Sequence, residues 1–213
     1  MPSRQEIHSE ETKQAILAAA GQLFAERGFD AVTMREIAKA AGCSHTTIYI
    51  YFKDKEALLH QLSIGPLQSL REQMESVLLN KALPPDNRLQ LASRVFLHFG
   101  LSNRTMYTVF FMARATRVDI AEPALEVQKL RNQLFELLRQ AIQDYLQLGQ
   151  AGDLSLAYAR ICFFTLHGIV GTYTSSDEPL DALMERLAST FDLAVEVMLA
   201  GFRQTVNKGA ERK

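Results

Sequence analysis

Cysteine is scarce in this 213-residue chain: Cys43 and Cys162 are the only two, and they lie far apart. That excludes a disulfide scaffold and any zinc site built from cysteines alone, and it fits a reducing compartment. Charge of either sign is not in excess, since the formal net charge is -1; bulk electrostatics therefore neither demands nor forbids a nucleic-acid partner. The longest nearly uncharged apolar run, residues 161–173, is shorter than the ~20 residues that span a bilayer. Residues 1–11 are polar and acidic, with no apolar stretch of the kind a secretory signal carries. The expectation is a cytoplasmic protein with no membrane partner.

Alternating apolar and polar residues, the mark of a half-buried strand, are also missing. What is present is helical periodicity punctuated by Gly28, Gly42, Gly65-Pro66, Pro84-Pro85, Pro123, Gly149 to Gly152 and Pro179. The fold class expected is all-α, with about nine helices. They fall near 9–27, 34–41, 45–51, 55–64 continuing through 66–82, 87–102, 104–118, 123–148, 153–174 and 180–204. Gly65-Pro66 is expected to kink or break the chain near 62–66, because proline removes a backbone donor and crowds the carbonyl four residues back. Such a break would serve as a hinge.

Three helix starts are sharply marked. Thr33-Met34-Arg35-Glu36 has the form of a capping box, and Ser44 and Asp54 stand as N-caps before the next two helices. Two short helices joined by a glycine turn form a helix-turn-helix. Ala38 supplies the small residue at the crossing, Gly42 the turn and Ile48 the inward anchor of the second helix, with Ile37, Ala41 and Cys43 completing a small core. Ile16, Leu17, Ala20, Leu23 and Phe24 give the first helix a stripe to cover it, and Phe29 would plug the joint after Gly28. The second helix then turns His45, Thr46, Thr47 and Tyr49 outward. A helix so placed enters the major groove, where His45, Thr46 and Thr47 are candidates for base contacts. Thr33, Tyr49, Tyr51 and Lys55 are candidates for phosphate, and Arg35 and Ser44 join the expected DNA-binding set.

On these residues the segment 12–62 resembles the N-terminal domain of the TetR family of bacterial transcriptional regulators. The matching positions are Ile16, Ala19-Ala20, Leu23-Phe24, Gly28-Phe29, Thr33, Ile37-Ala38, Ala41-Gly42, Ser44, Thr47, Ile48-Tyr49, Phe52, Lys55-Glu56 and Leu58-Leu59, about a quarter of the chain. Cys43 departs from the valine common at its position, and His45 stands where the family varies with operator. The resemblance implies an all-helical homodimer with a DNA-binding head and a C-terminal ligand-binding and dimerisation domain. It implies that Lys55 and the pair Tyr49/Tyr51 meet phosphate. The domains expected are 1–62 and 63–213. Residues 1–62 hold seven Lys/Arg against eight Asp/Glu, which is unusual for a nucleic-acid module, although Glu6, Glu10 and Glu11 stand at the start of the first helix.

In the C-terminal part, residues 161–170 are apolar nearly all round, so that a second copy of the chain is the natural cover. A homodimer through a four-helix bundle of 153–174 and 180–204 from each chain is expected. The interface candidates are Phe164, Gly168, Gly171, Leu187, Phe191, Val195 and Met198. A second apolar concentration supplies the ligand-site candidates Phe96, Phe99, Met106, Tyr107, Phe110, Phe111, Phe163 and His167. His167 either meets a polar group of the ligand or is a core histidine bonded to a backbone carbonyl, the second being favoured. Cys162 reads as an inert buried thiol, and Arg104, Arg114 and Arg117 as surface groups rather than anion contacts.

The function expected is a ligand-responsive transcriptional regulator, a repressor released from a near-palindromic operator in double-stranded DNA by a small, largely apolar effector. A ligand-independent DNA binder and a helical small-molecule-binding protein or enzyme are the alternatives. No nucleophile–base pair, metal-ligand spacing or phosphate loop is present, so no enzyme activity, cofactor or metal is expected.

Overall fold

The computed structural model describes residues 3–108, 111, 126–148 and 152–210. Among these residues there are nine helices and no strand: α1 (Arg4–Arg27), α2 (Met34–Ala40), α3 (His45–Tyr51), α4 (Lys55–Leu78), α5 (Pro85–Ser102), α6 (Arg104–Tyr107), α7 (Glu126–Leu146), α8 (Gly152–Tyr173) and α9 (Leu180–Ala210). The chain divides into two compact units, residues 1–66 and 67–213.

In the first unit α1 begins five residues earlier than expected. Ser3 and Glu6 form a capping box, in which the Ser3 side chain accepts from the Glu6 N–H and the Glu6 carboxylate accepts from the Ser3 N–H. Thr33 and Glu36 form a second at the start of α2. Helix α2 closes in a Schellman turn: the Cys43 N–H donates to the Ala38 carbonyl and the Gly42 N–H to Lys39. Gly42 takes φ +70° there, which a side chain would oppose. Ile16, Ala20, Phe24, Ile37, Ala38 and Ile48 are buried together with Val32, Phe52 and Leu58. Ala41, Cys43 and Leu23 are half-buried rather than core.

Of the kink or break expected near 62–66, the break is not found. Helix α4 runs through Gly65 and Pro66, with Pro66 inside it. Proline at this point removes the one bond that the Leu62 carbonyl would accept, and the rest of a 24-residue helix continues around that loss.

The second unit packs α5, α7, α8 and α9 against one another. Helix α5 starts at Pro85, where a missing N–H costs nothing, two residues before the expected start. Gly100 lies where α5 meets α8: a Cβ there would come within 2.8 Å of both Val170 methyls and 3.2 Å of the Tyr107 ring. Arg94 of α5 grips Asp192 of α9 with two hydrogen bonds of 2.6 and 2.8 Å. The expected helix 104–118 is seen as α6 over its first turn, and most of its remainder lies outside the described residues.

The apolar stripe of α9 faces inward. Leu183, Phe191, Val195, Leu199 and Phe202 are buried within the chain itself. Phe191 and Val195, expected at a dimer interface, therefore belong to this chain's own core, because an amphipathic stripe marks an apolar face but not which surface covers it. Leu187 and Met198 are half-buried, as is Gly171, while Gly168 is exposed with open space around it. The outward face of α8 carries Leu154, Ile161 and Phe164, and that of α9 carries Leu193 and Val197. Within α8 the stretch Leu154–Tyr173 has a mean hydropathy of 1.4 over 20 residues, so by length and composition alone this helix could cross a membrane, although Arg160 interrupts it just before the uncharged run 161–173.

Candidate DNA-reading surface and effector site

Helix α3 has one buried residue, Ile48. Around the rest of its circumference His45, Thr46, Tyr49 and Ile50 are exposed and Thr47 and Tyr51 half-buried. The N-terminal turn is organised by Ser44, whose Oγ accepts from the Thr47 N–H at 3.0 Å and lies 2.8 Å from Thr46 Oγ1 and 2.6 Å from Thr47 Oγ1. One cap residue thus holds both threonines at the start of the helix. One turn on, the Tyr49 ring meets the His45 imidazole edge-on, with centroids 5.2 Å apart. The arc therefore presents an imidazole, a hydroxyl and a phenol, all able to exchange hydrogen bonds with a nucleic-acid edge.

The flanking candidates are held by the protein. Tyr51 Oη lies 3.3 Å from Ser9 Oγ of α1. The Lys55 ammonium donates to the Phe29 carbonyl at 2.8 Å. The Thr33 hydroxyl donates to the Glu36 carboxylate at 2.8 Å, and Arg27 donates to the same carboxylate at 2.9 Å. These bonds, led by that of Thr33, hold the Glu36 carboxyl down at about 2. Arg35 is exposed. Asp54 caps α4 by accepting from the Ala57 N–H at 2.8 Å. Ile50 was not among the sequence candidates, yet at 78% exposure it is the most exposed large apolar side chain among the described residues.

The second unit encloses a cavity of about 20 Å³ walled by Phe96, Phe111 and Phe163 together with Met74, Leu166 and Arg131. The first three are among the expected ligand residues. Tyr107 stacks on Phe111 with centroids 4.6 Å apart, and its hydroxyl is hydrogen-bonded to His167 Nδ1 at 2.7 Å. His167 in turn stacks on Phe163 at 5.3 Å. The expected backbone partner for His167 is thus replaced by a phenol. Phe99 and Met106 are buried but do not line the cavity. Phe110 lies outside the described residues, as do Arg114 and Arg117. Arg104 is occupied with backbone, donating to the carbonyls of Leu101 and Ser176.

Arg131 is the residue that sequence reasoning missed. It is 5% exposed, with its guanidinium carbon 4.7 Å from the centroid of the Phe111 ring. Burial lowers its pKa, but a guanidinium remains charged in any protein. Burial raises the Tyr107 phenol well above its ordinary range, and burial together with the Arg131 charge lowers His167. Tyr107 and His167 are therefore neutral partners beside a fixed cation. The signal was in the spacing of α7, where Val127, Leu130, Leu134 and Leu138 mark the inward face and Arg131 falls among them. Cys162 is fully enclosed, and burial pushes its thiol up to about 12. Among the described residues no group of three or more His, Cys, Asp or Glu is placed to hold a metal ion.

Comparison with known proteins completes the picture. Residues 16–62 match the family pattern for bacterial regulatory proteins of the tetR family, and residues 89–198 match that for the tetracyclin repressor-like C-terminal domain. The chain is 27% identical over 192 residues to a fatty acid metabolism regulator protein of Bacillus subtilis, covering 87% of this chain and 93% of the relative. It is 26% identical over 200 residues to an HTH-type transcriptional repressor of Mycobacterium tuberculosis, covering 91% and 96%. Its fold is shared by the crystal structure of the regulator FadR from Bacillus subtilis in complex with stearoyl-CoA, with a TM-score of 0.64, 22% identity and coverage of 88% of this chain and 98% of that one. The chain belongs to the TetR family of bacterial regulatory proteins, DNA-binding transcriptional regulators that respond to ligands.

Proposed function

We propose that the chain is a homodimeric repressor in the cytoplasm, released from a near-palindromic operator by a small, largely apolar effector. The observation that carries this reading is the asymmetry of α3, with Ile48 buried and His45, Thr46 and Tyr49 turned out. In a dimer, two such helices one DNA turn apart, roughly 34–36 Å, would enter successive major grooves. Residues 1–62 form the reading head in this proposal. His45, Thr46 and Thr47 meet base edges, and Thr33, Arg35, Ser44, Tyr49, Tyr51 and Lys55 meet the backbone.

Residues 63–213 serve dimerisation and effector binding. The outward apolar faces of α8 and α9, with Phe164 and Val197 each 63% exposed, favour a second copy as their cover. The aromatic cavity favours an apolar effector body, and a relative solved with stearoyl-CoA supports an effector of that general kind. At about 20 Å³ the cavity admits little more than a water, so an effector needs the wall to move. An effector that prefers the opened geometry shifts the population and weakens DNA binding by at most its differential affinity. Met74, in the cavity wall, lies on the same helix as Lys55, which gives α4 a part in both events.

The test is selection of a duplex from a random pool by the full-length protein, followed by gel retardation. Thr46→Ala and Tyr49→Ala should weaken retardation of the selected operator while leaving the thermal transition in place; unchanged retardation by both variants sinks the reading. The small cavity favours one second reading, a DNA binder without an effector. Such a protein would show no thermal shift with any apolar compound.

A further inference from the structure

The crest of α3 carries a side chain that the packing of the first unit does not use. At about 100° per residue, Thr46 and Ile50 each stand about 160° round the helix from the buried anchor Ile48. Thr47 and Tyr49 stand about 100° from that anchor, and His45 and Tyr51 only about 60°. Thr46 and Ile50, one turn apart, are thus the two residues that point most directly away from the protein. The burial pattern agrees: Thr46 is exposed and Ile50 is 78% exposed, whereas Thr47 and Tyr51 are half-buried.

The two crest residues differ in what they can do. The Thr46 hydroxyl lies 2.8 Å from Ser44 Oγ and belongs to the hydrogen-bonded turn that starts the helix. Ile50 can make no hydrogen bond. A β-branched residue is also a poorer helix former than the alanine, lysine or glutamine that a solvated crest would take, and it adds nothing to the core around Ile48. On α8 and α9 the exposed apolar residues come in groups, Leu154, Ile161 and Phe164 on one and Leu193 and Val197 on the other. One isoleucine beside a threonine is too small a patch for a protein partner, whose interface needs about 800 Å² on each side.

A major groove supplies a partner of the right size. At about 1.5 Å per residue the seven residues of α3 span about 10 Å, less than the ~12 Å width of that groove, so the whole crest fits within it. The base edges there are hydrogen-bonding groups, apart from the 5-methyl group of thymine, which rewards an apolar side chain. The single χ1 rotamer that a helix leaves to isoleucine holds such a contact ready. We propose that Ile50 is a specificity-determining residue that reads the methyl group of one thymine in each half-site. The proposal rests on α3 being the reading helix and adds an apolar contact to an otherwise polar set.

The full-length protein selects its operator from a random pool. Gel retardation then compares that operator with duplexes in which deoxyuridine replaces each thymidine, one at a time, which removes only the methyl group. At one position per half-site the unaltered protein should lose about fourfold in affinity, the worth of burying one methyl group. At the same position 5-methylcytosine should bind about fourfold more tightly than cytosine, because the methyl group returns on a different pairing edge. Ile50→Ala should lose both differences, and Ile50→Val should keep part of each. Alanine at an exposed helical position favours the helix, and an unchanged thermal transition checks that the variant folds.

Insensitivity at every thymidine overturns the contact. So does a methyl effect that persists in Ile50→Ala, or an Ile50→Ala protein that loses affinity while keeping the full difference between thymidine and deoxyuridine. Thr46→Ala and Tyr49→Ala are measured beside it. If these weaken retardation and no methyl effect appears, α3 still reads the operator and only the Ile50 contact falls. If all three variants bind every duplex as the unaltered protein does, the reading helix falls and the proposal falls with it.

Discussion

The Lys55 ammonium donates to the Phe29 carbonyl at 2.8 Å and stands 4.6 Å above the centroid of the same residue's ring. A lysine held twice by one residue is fixed in advance, so the phosphate contact proposed for it would cost little further side-chain freedom. Lys55→Ala removes both the anchor and the charge. Stability of the first unit should fall by about 1 kcal/mol, the scale of a half-buried charge-assisted bond. Removing one phosphate contact should also reduce the slope of log affinity against log salt by about one. Urea denaturation and retardation at several salt concentrations read the two effects separately. An unchanged salt slope would remove Lys55 from the phosphate contacts.

The capping box at Thr33 predicts a pH dependence. Glu36 titrates at about 2 when folded, against an ordinary 4.5, chiefly because Thr33 binds the charged form. The unfolded chain therefore takes up this proton first as pH falls. The stabilisation is fully present above 4.5 and is lost progressively towards 2. Glu36→Gln should flatten the fall in melting temperature across that window and be nearly silent in its pH slope at neutrality. Circular dichroism melts at a series of pH values check this.

Much of the first unit was legible because its signals are local. Thr33, Glu36, Gly42, Ser44 and Ile48 act on neighbours within a few residues, and spacing alone exposes them. Ser3 escaped because a polar acidic start reads as a tail until its reciprocal bonds with Glu6 are seen. The second unit is governed by contacts far apart in sequence. The stripe of α9 was visible, but its cover was not, and Phe191 turned out to face the chain's own core. Arg131 could have been found from the face of α7, whereas Gly100 could not, since only the crossing of α5 and α8 makes its missing side chain necessary.

Gly100→Ala should therefore destabilise the protein although alanine favours a helix. Its Cβ would sit 2.8 Å from both methyls of Val170, a fully buried side chain with no room to turn. Overpacking of this kind costs about 1–3 kcal/mol, against a helical gain of about 1 kcal/mol at most. Val170→Ala makes its own cavity, but in combination with Gly100→Ala it should be less harmful than the sum of the two. A double-mutant cycle by denaturant titration measures that coupling, and simple additivity would show the contact to be slack.

Burial of His167 predicts a second pH dependence. Burial and then Arg131 lower the His167 pKa, so the folded protein resists its protonation. The contribution is complete above the ordinary histidine range and is lost as pH falls through the lowered folded value. Tyr107→Phe takes away the hydroxyl bonded to Nδ1 and should cost about 1–2 kcal/mol at neutral pH. The pH slope across the histidine range should be largely kept in this variant, because burial and the Arg131 charge, not the phenol, lower the His167 pKa. Chemical denaturation of both proteins across the histidine range tests the sign, and a Tyr107→Phe protein as stable as the original would contradict the bond.

The outward faces of α8 and α9 yield the sharpest contrast between two phenylalanines. Phe164 is 63% exposed on α8, while Phe191 on α9 is buried within the chain. If α8 and α9 pair with a second copy, each face residue is counted twice across a two-fold interface, and each well-covered apolar side chain contributes about 1.5–3 kcal/mol. Phe164→Glu or Val197→Glu then sets a carboxylate in that seam on both chains and should give a folded monomer in size-exclusion chromatography with light scattering. Phe191→Glu instead puts a charge into the chain's own core and should destroy the cooperative melt. A Phe164→Glu protein that still runs as a dimer would move the interface elsewhere. A Phe191→Glu protein that folds as a monomer would return the interface to the stripe that faces inward here.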